Sequence, residues 1–311
     1  MISFLMLIAG FILLFFSGDW LVKASVNLAR HFKVSTLVIG ITVVAFGTSA
    51  PELLVSLKAV FSDSSDISVG NVVGSNIANI ALVLGLVAII FPVKVKRNNI
   101  WIDWLVMMTA SVGVVIASLN NVISFVEGFI FLVLLALYLI WSVWKSRKDI
   151  KGQEKILEPE MSKLMAGGYF VLATVGLYFG ADWLVKGAKE IAISFGISER
   201  VVGLSVVALG TSVPELATSL MAAIKKESDI SIGNIIGSNV FNIWAVLGTT
   251  SVIKPLGVSE AILNVDYKWM IGVAVLLFIL LLPLSKGVIN RWKGLLLFSI
   301  YAVYIYILFV G

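Results

Sequence analysis

The sequence of 311 residues has no cysteine, a single histidine (His31) and only 13% charged residues. The absence of cysteine excludes disulfides, thiolate metal sites and cysteine nucleophiles. One histidine leaves no room for a histidine-based zinc site or a histidine-dependent catalytic triad. Soluble domains carry about 25% charged residues, so the shortage of charge also argues against a soluble protein. Only paired-carboxylate chemistry would remain to an enzyme, and we expect neither an enzymatic activity nor a cofactor.

Apolar residues, by contrast, make up 59% of the chain. They form runs long enough to cross a lipid bilayer, and continuous runs of this length favour helices over barrel strands. The predicted helices cover approximately 2–22, 35–60, 68–91, 101–118, 122–144, 165–189, 198–224, 231–253, 267–284 and 290–309. The sequence therefore predicts an all-α polytopic membrane protein with ten transmembrane helices.

The two halves of the chain are copies of each other. Residues 19–92 align with residues 182–255 without a gap, at an offset of 163, and 38 of the 74 aligned positions are identical. We therefore predict a first five-helix repeat over residues 1–144, a linker over residues 145–163 and a second five-helix repeat over residues 164–311. Because five is an odd number, the second copy must enter the membrane from the opposite side, so the two repeats are predicted to be inverted.

Basic residues indicate which side of the membrane each loop faces. The first copy carries basic residues within 30–33 and 94–97 where the second has none, and the second carries lysines at 225–226 where the first has none. If the repeats are inverted, all these loops and the linker fall on one side, which the positive-inside rule makes cytoplasmic. We expect a cell-membrane protein with both termini outside. This location also explains the net charge of +5 without a nucleic-acid partner.

Each copy places a proline and a carboxylate in the middle of an apolar run. The motif Gly-Thr-Ser-x-Pro-Glu ends at Glu52 in the first copy and at Glu215 in the second. Proline lacks a backbone N–H and clashes with the carbonyl four residues back, so helices 2 and 7 should be broken at Pro51 and Pro214. A carboxylate at membrane depth is rare unless it faces a cavity, a partner or an ion pathway. Carbonyl, hydroxyl and carboxylate oxygens are the ligands preferred by calcium and sodium.

A second motif, Gly-Asn-x-x-Gly-Ser-Asn-x-x-Asn, occupies residues 70–79 and returns at residues 233–242. On a helix, its polar residues at i, i+4 and i+8 line one face, and its glycines let another backbone approach closely. The amides could simply bond helix to helix, and this alternative stays open for Asn71 and Asn234. Contact with an ion is expected for the other polar residues of this face, which are Ser75, Asn79, Ser238 and Asn242.

Together the two repeated motifs resemble the α-repeats of the cation/calcium antiporter superfamily, and most closely its prokaryotic sodium/calcium exchanger branch. The resemblance covers nearly the whole chain and implies four ion sites between helices 2, 3, 7 and 8. The side-chain ligands it implies are Glu52, Glu215, Thr48, Thr211, Ser49, Ser212, Ser75, Ser238, Asn79 and Asn242, with the backbone carbonyls of Ala45 and Ala208. Some relatives have aspartate at the position of Asn242, so the asparagine here leaves the charge of the middle site and any potassium dependence open. The short linker excludes the large cytosolic calcium-sensing domain of animal relatives.

The function implied by the resemblance is a sodium/calcium antiporter that exports Ca²⁺ in exchange for Na⁺ by alternating access. Two carboxylates balance one Ca²⁺, and the same oxygens could serve several Na⁺, so the two loads would exclude each other. An H⁺/Ca²⁺ exchanger or a K⁺-dependent Na⁺/Ca²⁺ exchanger on the same fold remains an alternative, and a calcium channel is a further one. We expect the monomer to be the functional unit, with helices 1 and 6 sliding over the core.

Overall fold

Nearly all of the apolar sequence forms helix in the computed structural model. The structure describes residues 2–62, 64–94, 100–150, 158–195, 210–281 and 287–310. Within these ranges the helices, numbered in chain order, are α1 (Ile2–Phe32), α2 (Thr36–Thr48), α3 (Ala50–Phe61), α4 (Ser65–Ile90), α5 (Ile100–Ala117), α6 (Phe125–Ile150), α7 (Lys163–Ser194), α8 (Val213–Ile224), α9 (Ser228–Ile253), α10 (Ile262–Leu281) and α11 (Arg291–Val310). Four of them contain a π-helical segment, at Gly40–Val44, Asn79–Leu84, Asn242–Leu247 and Ile262–Asp266.

Eight of these helices are long and apolar enough to cross a membrane, namely α1, α4, α5, α6, α7, α9, α10 and α11. The pair α2 and α3, bent by 43° at its break, makes a ninth span. These nine correspond in order to nine of the ten predicted segments. The remaining one, predicted at 198–224, is described only from Gly210 onward and contains α8. The prediction of an all-α membrane-spanning fold is confirmed, and the count of ten helices stays a prediction.

The helix α1 is ten residues longer than predicted, since it ends at Phe32 rather than near residue 22. Its last turns are mostly covered by neighbouring residues: within residues 21–29 only Lys23 is exposed, and Leu21 and Leu28 are buried. Tertiary packing of this kind stabilises a helix beyond the hydrophobic run itself. The predicted linker likewise begins as helix, because α6 continues to Ile150.

The helices α1 and α7 pack along each other through glycines. A Cβ atom at Gly10 would lie 2.6 Å from the backbone nitrogen of Leu184, and one at Gly187 would lie 2.6 Å from the carbonyl oxygen of Ser3. Because no side chain separates the two backbones at these points, they approach more closely than larger residues would allow. Gly18 allows a similar contact between α1 and α8, because a Cβ atom at Gly18 would lie 3.2 Å from the carbonyl oxygen of Ala217.

The helices α4 and α9 form the centre of the molecule. In their most apolar stretch they bury 72% and 94% of the residues, against 33% or less in the other six long helices. The backbone of α9 lies directly on α2, where Cβ atoms at Gly233 and Gly237 would lie 2.7 and 2.5 Å from the carbonyl oxygens of Leu37 and Ile41. The second motif therefore presses against the helix that ends in the first motif, as its glycines predict.

Two short antiparallel ladders tie the halves of the chain together. Val93–Lys94, just after α4, pairs with Val288–Ile289, just before α11. Leu256–Gly257, just after α9, pairs with Val122–Ile123, just before α6. Residues 93–94 and 256–257 are related by the offset of 163, and each pairs with a strand from the opposite half.

Candidate cation site

The helix of the first motif breaks immediately before its proline. The segment α2 ends at Thr48, Ser49 has φ −86° and ψ 2°, and α3 begins at Ala50 with Pro51 in its first turn. Proline is favoured there because a first-turn N–H has no partner within its own helix. In the second motif Ser212 has φ −86° and ψ 1°, followed by the same arrangement at the start of α8.

The break places one carboxylate in the first turn of α3 and one in the first turn of α8. Glu52 and Glu215 are both completely buried. Among the described residues, no basic group forms an ion pair with either of them. Both carboxylates also lie at helix N-termini, whose partial positive charge favours an anion. The site therefore concentrates negative charge without a protein counter-ion in the described parts of the chain.

The hydrogen bonds of the two carboxylates are incomplete. Both side-chain oxygens of Glu52 lack a hydrogen-bond partner among the described residues, as does Oε2 of Glu215. The other oxygen of Glu215 accepts long bonds of 3.4 Å from the hydroxyls of Ser49 and Ser238. These contacts join the break of the first motif, the carboxylate of the second and the face of α9.

Hydroxyl groups of the two motifs pair across the halves. Thr48 Oγ1 lies 3.2 Å from Ser238 Oγ, and Ser75 Oγ lies 3.2 Å from Thr211 Oγ1. The second pair repeats the first at the offset of 163, with the halves exchanged. Each broken motif thus faces the Gly-Ser-Asn helix of the opposite copy.

The two motif-ending asparagines contribute amide oxygens. Asn79 and Asn242 each begin a π-helical segment, a local widening that is frequent at functional sites. Both side chains are completely buried. Their Nδ2 atoms donate hydrogen bonds, but neither Oδ1 atom has a hydrogen-bond partner in the described part of the chain.

The chemistry that follows is cation binding by oxygen. The buried acceptors without a partner among the described residues of these motifs are Glu52 Oε1 and Oε2, Glu215 Oε2, Asn79 Oδ1, Asn242 Oδ1 and Ser212 Oγ. Each buried group left unpaired costs about 1–3 kcal/mol, which a bound cation would offset. In the described ranges no group of three or more histidine, cysteine, aspartate or glutamate residues could hold a metal ion. The site here instead combines two carboxylates with neutral oxygens, the donor set of a hard cation.

Hydrogen bonds between predicted ligands join six of the twelve, which are Thr48, Ser49, Ser75, Thr211, Glu215 and Ser238. Glu52, Asn79 and Asn242 are completely buried in the same motifs. Ser212 is buried beside them in the second break. The carbonyl of Ala45 accepts bonds from Ser49 N at 2.9 Å and Thr48 Oγ1 at 3.4 Å. Ala208 lies outside the described residues, and a role as ligand stays a prediction for all twelve.

Asn71 and Asn234, for which bonding between helices was the open alternative, do bond to neighbouring helices. Asn71 Nδ2 donates to Ser56 Oγ at 3.1 Å, and Asn234 Nδ2 donates to Ser219 Oγ at the same distance. Asn234 also accepts a bond of 3.0 Å from Thr48 Oγ1, so it holds a predicted ligand. The sequence analysis did not predict that Ser56 and Ser219 would bind these amides. Their occurrence at equivalent positions of the two repeats could have indicated it.

Comparison with known proteins identifies the family. The family profile described as sodium/calcium exchanger protein matches residues 2–144 and 165–310. The chain belongs to the sodium/calcium exchanger family. The predicted resemblance is therefore confirmed.

Individual relatives agree with the family assignment over the full chain. The sodium/calcium exchanger MaX1 of Methanosarcina acetivorans is 31% identical, over 99% of this chain and 99% of its own. The inner membrane protein YrbG of Escherichia coli is 34% identical, over 98% and 96%. A structure of the sodium-calcium exchanger NCX_Mj, soaked with 2.5 mM Na⁺ and 0.1 mM Ca²⁺, matches with a TM-score of 0.84 and 34% identity over 98% of both chains.

Proposed function

We propose that this exchanger exports Ca²⁺ in exchange for Na⁺ by alternating access. The observation that carries the proposal is the pair of completely buried carboxylates, Glu52 and Glu215, whose free oxygens face no cationic side chain among the described residues. One Ca²⁺ neutralises the pair, and so do two Na⁺. The family assignment supports the same pair of ions.

The proposed ligands are the twelve predicted from the sequence. They are the side chains of Glu52, Glu215, Thr48, Thr211, Ser49, Ser212, Ser75, Ser238, Asn79 and Asn242, and the carbonyls of Ala45 and Ala208. Ca²⁺ takes six to eight oxygens in a flexible arrangement, which a mixture of carboxylate, hydroxyl, amide and carbonyl groups can supply. The same oxygens, the two carboxylates included, can also serve Na⁺, so the two loads compete for shared ligands.

The buried charge also explains why transport is an exchange. An unloaded site would carry two carboxylates away from water, and the effective penalty for a buried ion is several kcal/mol. The empty protein is therefore a poor candidate for the conformational change that moves the site from one side to the other. A site loaded with either Ca²⁺ or Na⁺ has no such penalty. Each conformational change therefore carries either Ca²⁺ or Na⁺ across the membrane.

We propose ten transmembrane helices arranged as two inverted repeats, residues 1–144 and 164–311, joined by the linker 145–163. The exchanged hydroxyl pairs support this arrangement, because they recur at the offset of 163 with the halves swapped. One strand of each ladder, residues 93–94 and 256–257, follows the same offset and pairs with the opposite half. We place the protein in the cell membrane, with the linker cytoplasmic and both termini outside. The functional unit is the monomer. The helices that slide over the core are α1 and α7, which correspond to the predicted helices 1 and 6.

The test uses purified protein in sealed liposomes loaded with Na⁺ and diluted into Na⁺-free buffer containing Ca²⁺. K⁺ is omitted, the pH is equal on both sides, and a permeant anion collapses the membrane potential. Ca²⁺ uptake that requires internal Na⁺ supports the proposal. Uptake that ignores Na⁺ and follows an imposed pH gradient would assign H⁺ as the coupling ion. Uptake that needs no counter-ion gradient at all would indicate a channel.

A further inference from the structure

Two buried asparagines of the second motif have no role in the ligand set proposed above. Asn76 and Asn239 are equivalent positions of the two copies, each three residues before a proposed amide ligand. Each exposes only 1% of its surface. A buried amide must find partners for a donor and an acceptor, so their hydrogen bonds define what they do.

Their hydrogen bonds cross between the halves. Asn242 Nδ2 donates to Asn76 Oδ1 at 3.1 Å, and Asn79 Nδ2 donates to Asn239 Oδ1 at 3.3 Å. Each of the two proposed amide ligands is therefore hydrogen-bonded to the non-ligand asparagine of the opposite copy.

The crossed bonds fix which end of each ligand amide faces the cation. With the NH₂ group bound to Asn76 or Asn239, the Oδ1 atoms of Asn79 and Asn242 are directed away from that bond, and both are buried without a partner in the described residues. A flipped amide would bring two oxygens together at the crossed bond. It would also turn N–H groups toward a cation. Both effects oppose the flip.

Asn76 and Asn239 are themselves oriented from behind. Asn76 Nδ2 donates to the backbone oxygen of Asn239 at 3.2 Å and lies 3.9 Å from the sulfur of Met270. Asn239 Nδ2 donates to the sulfur of Met107 at 3.4 Å. With their donors bound on this side, both residues present an acceptor to the ligand amides.

We propose that Asn76 and Asn239 are positioning residues that orient the amide oxygens of Asn242 and Asn79 toward the transported cation. The inference rests on the proposed function in one respect, that Asn79 and Asn242 are ligands. Because each orienting residue belongs to the opposite half, the two halves must remain in contact here for either ligand to be held. Groups that orient metal ligands typically change metal affinity 10–100-fold when they are removed.

The test compares Asn76→Leu with Asn76→Asp by Ca²⁺ titration calorimetry of the purified protein. Leucine has similar bulk but no acceptor for Asn242, so the dissociation constant for Ca²⁺ should rise about 10–100-fold. Aspartate keeps the acceptor for Asn242, loses the donor to Asn239 and adds a negative charge that favours a nearby cation, so the dissociation constant should not rise. The matched control is Asn264→Leu, the same chemical change at an exposed asparagine outside the proposed site, which should leave the dissociation constant unchanged.

The titrations are paired with Na⁺-driven uptake in liposomes. The leucine variant should need more Ca²⁺ for half-maximal uptake but approach the wild-type maximal rate, a split that a misfolded core would not produce. An equal rise of the dissociation constant for Ca²⁺ in the leucine and aspartate variants would overturn the proposal, and so would an unchanged dissociation constant in the leucine variant. Asn239→Leu asks the same question of Asn79 and replaces Asn76→Leu if that variant is not monodisperse. Wild-type protein that binds Ca²⁺ without exchanging it for Na⁺ would refute the proposed function alone, and wild-type protein that binds no Ca²⁺ would refute both.

Discussion

Substitution of one of the two buried carboxylates is expected to change thermal stability in opposite directions with and without calcium. In metal-free buffer, Glu52 and Glu215 are two completely buried acidic side chains, and no basic group in the described ranges forms an ion pair with either. The substitution Glu52→Gln removes one of them, together with its repulsion of the other. We therefore expect the metal-free variant to unfold at a temperature no lower than the wild-type protein.

With calcium the expected order is reversed. A bound Ca²⁺ and the Glu52 carboxylate would form a buried pair of opposite charges, and removing one partner of such a pair typically costs about 3–5 kcal/mol. The loss of this carboxylate should therefore weaken Ca²⁺ binding by about two to four orders of magnitude. Ca²⁺ at 100 times the wild-type dissociation constant should stabilise the wild-type protein by about 2.7 kcal/mol. At the same concentration, a variant that binds 100-fold more weakly should gain only about 0.4 kcal/mol.

The assay is thermal unfolding of the detergent-purified protein, with and without Ca²⁺. The matched control is Glu260→Gln, the same chemical change at an exposed glutamate, which should keep the full Ca²⁺ stabilisation. Retention of the wild-type Ca²⁺ stabilisation by Glu52→Gln would refute the assignment of this carboxylate to the cation site. A metal-free unfolding temperature well below that of the wild-type protein would refute the argument that the empty site is strained by its own charge.

Three further predictions concern transport. Glu215→Gln should abolish Ca²⁺ flux but leave a folded protein, since glutamine still offers an oxygen to Ser49 and Ser238; wild-type flux in liposomes would contradict this. Protons should compete with cations for the carboxylate pair, so the uptake rate should fall as the pH is lowered from about 8 to about 5, and a flat profile would count against the pair as ligands. Gly10→Ala should slow transport and lower the unfolding temperature by overpacking α1 against α7, at a cost of about 1–3 kcal/mol. Gly168→Ala, at a helical position with no neighbouring atom within 4 Å among the described residues, should do neither.

The sequence alone predicted a broken helix and a buried carboxylate in each half, because the same motif occurs in both halves. A proline beside a carboxylate in an apolar run predicted a broken helix with a buried acid, and the break before Pro51 and the complete burial of Glu52 agree with this. Repetition of the motif made an accidental match improbable. The family assignment followed from the same residues.

Features that depend on contacts between the halves could not be predicted from one sequence. Periodicity places Asn76 and Asn79 on a helix, but it does not say that Asn79 binds Asn239 rather than a residue of its own copy. Helix ends were also missed: the apolar run of α1 stops well before Phe32, and the burial of its final turns against neighbouring residues continues the helix. The strand ladders, only two residues long, carry no sequence signal of their own.

The central claim is that a single set of oxygens takes either Ca²⁺ or Na⁺. Its most direct test is equilibrium binding of radioactive Ca²⁺ to the purified protein over a series of Na⁺ concentrations, at constant ionic strength and pH. We predict that the apparent dissociation constant for Ca²⁺ rises with Na⁺ more steeply than in direct proportion, because more than one Na⁺ displaces each Ca²⁺. A dissociation constant that does not change with Na⁺ would contradict the shared site.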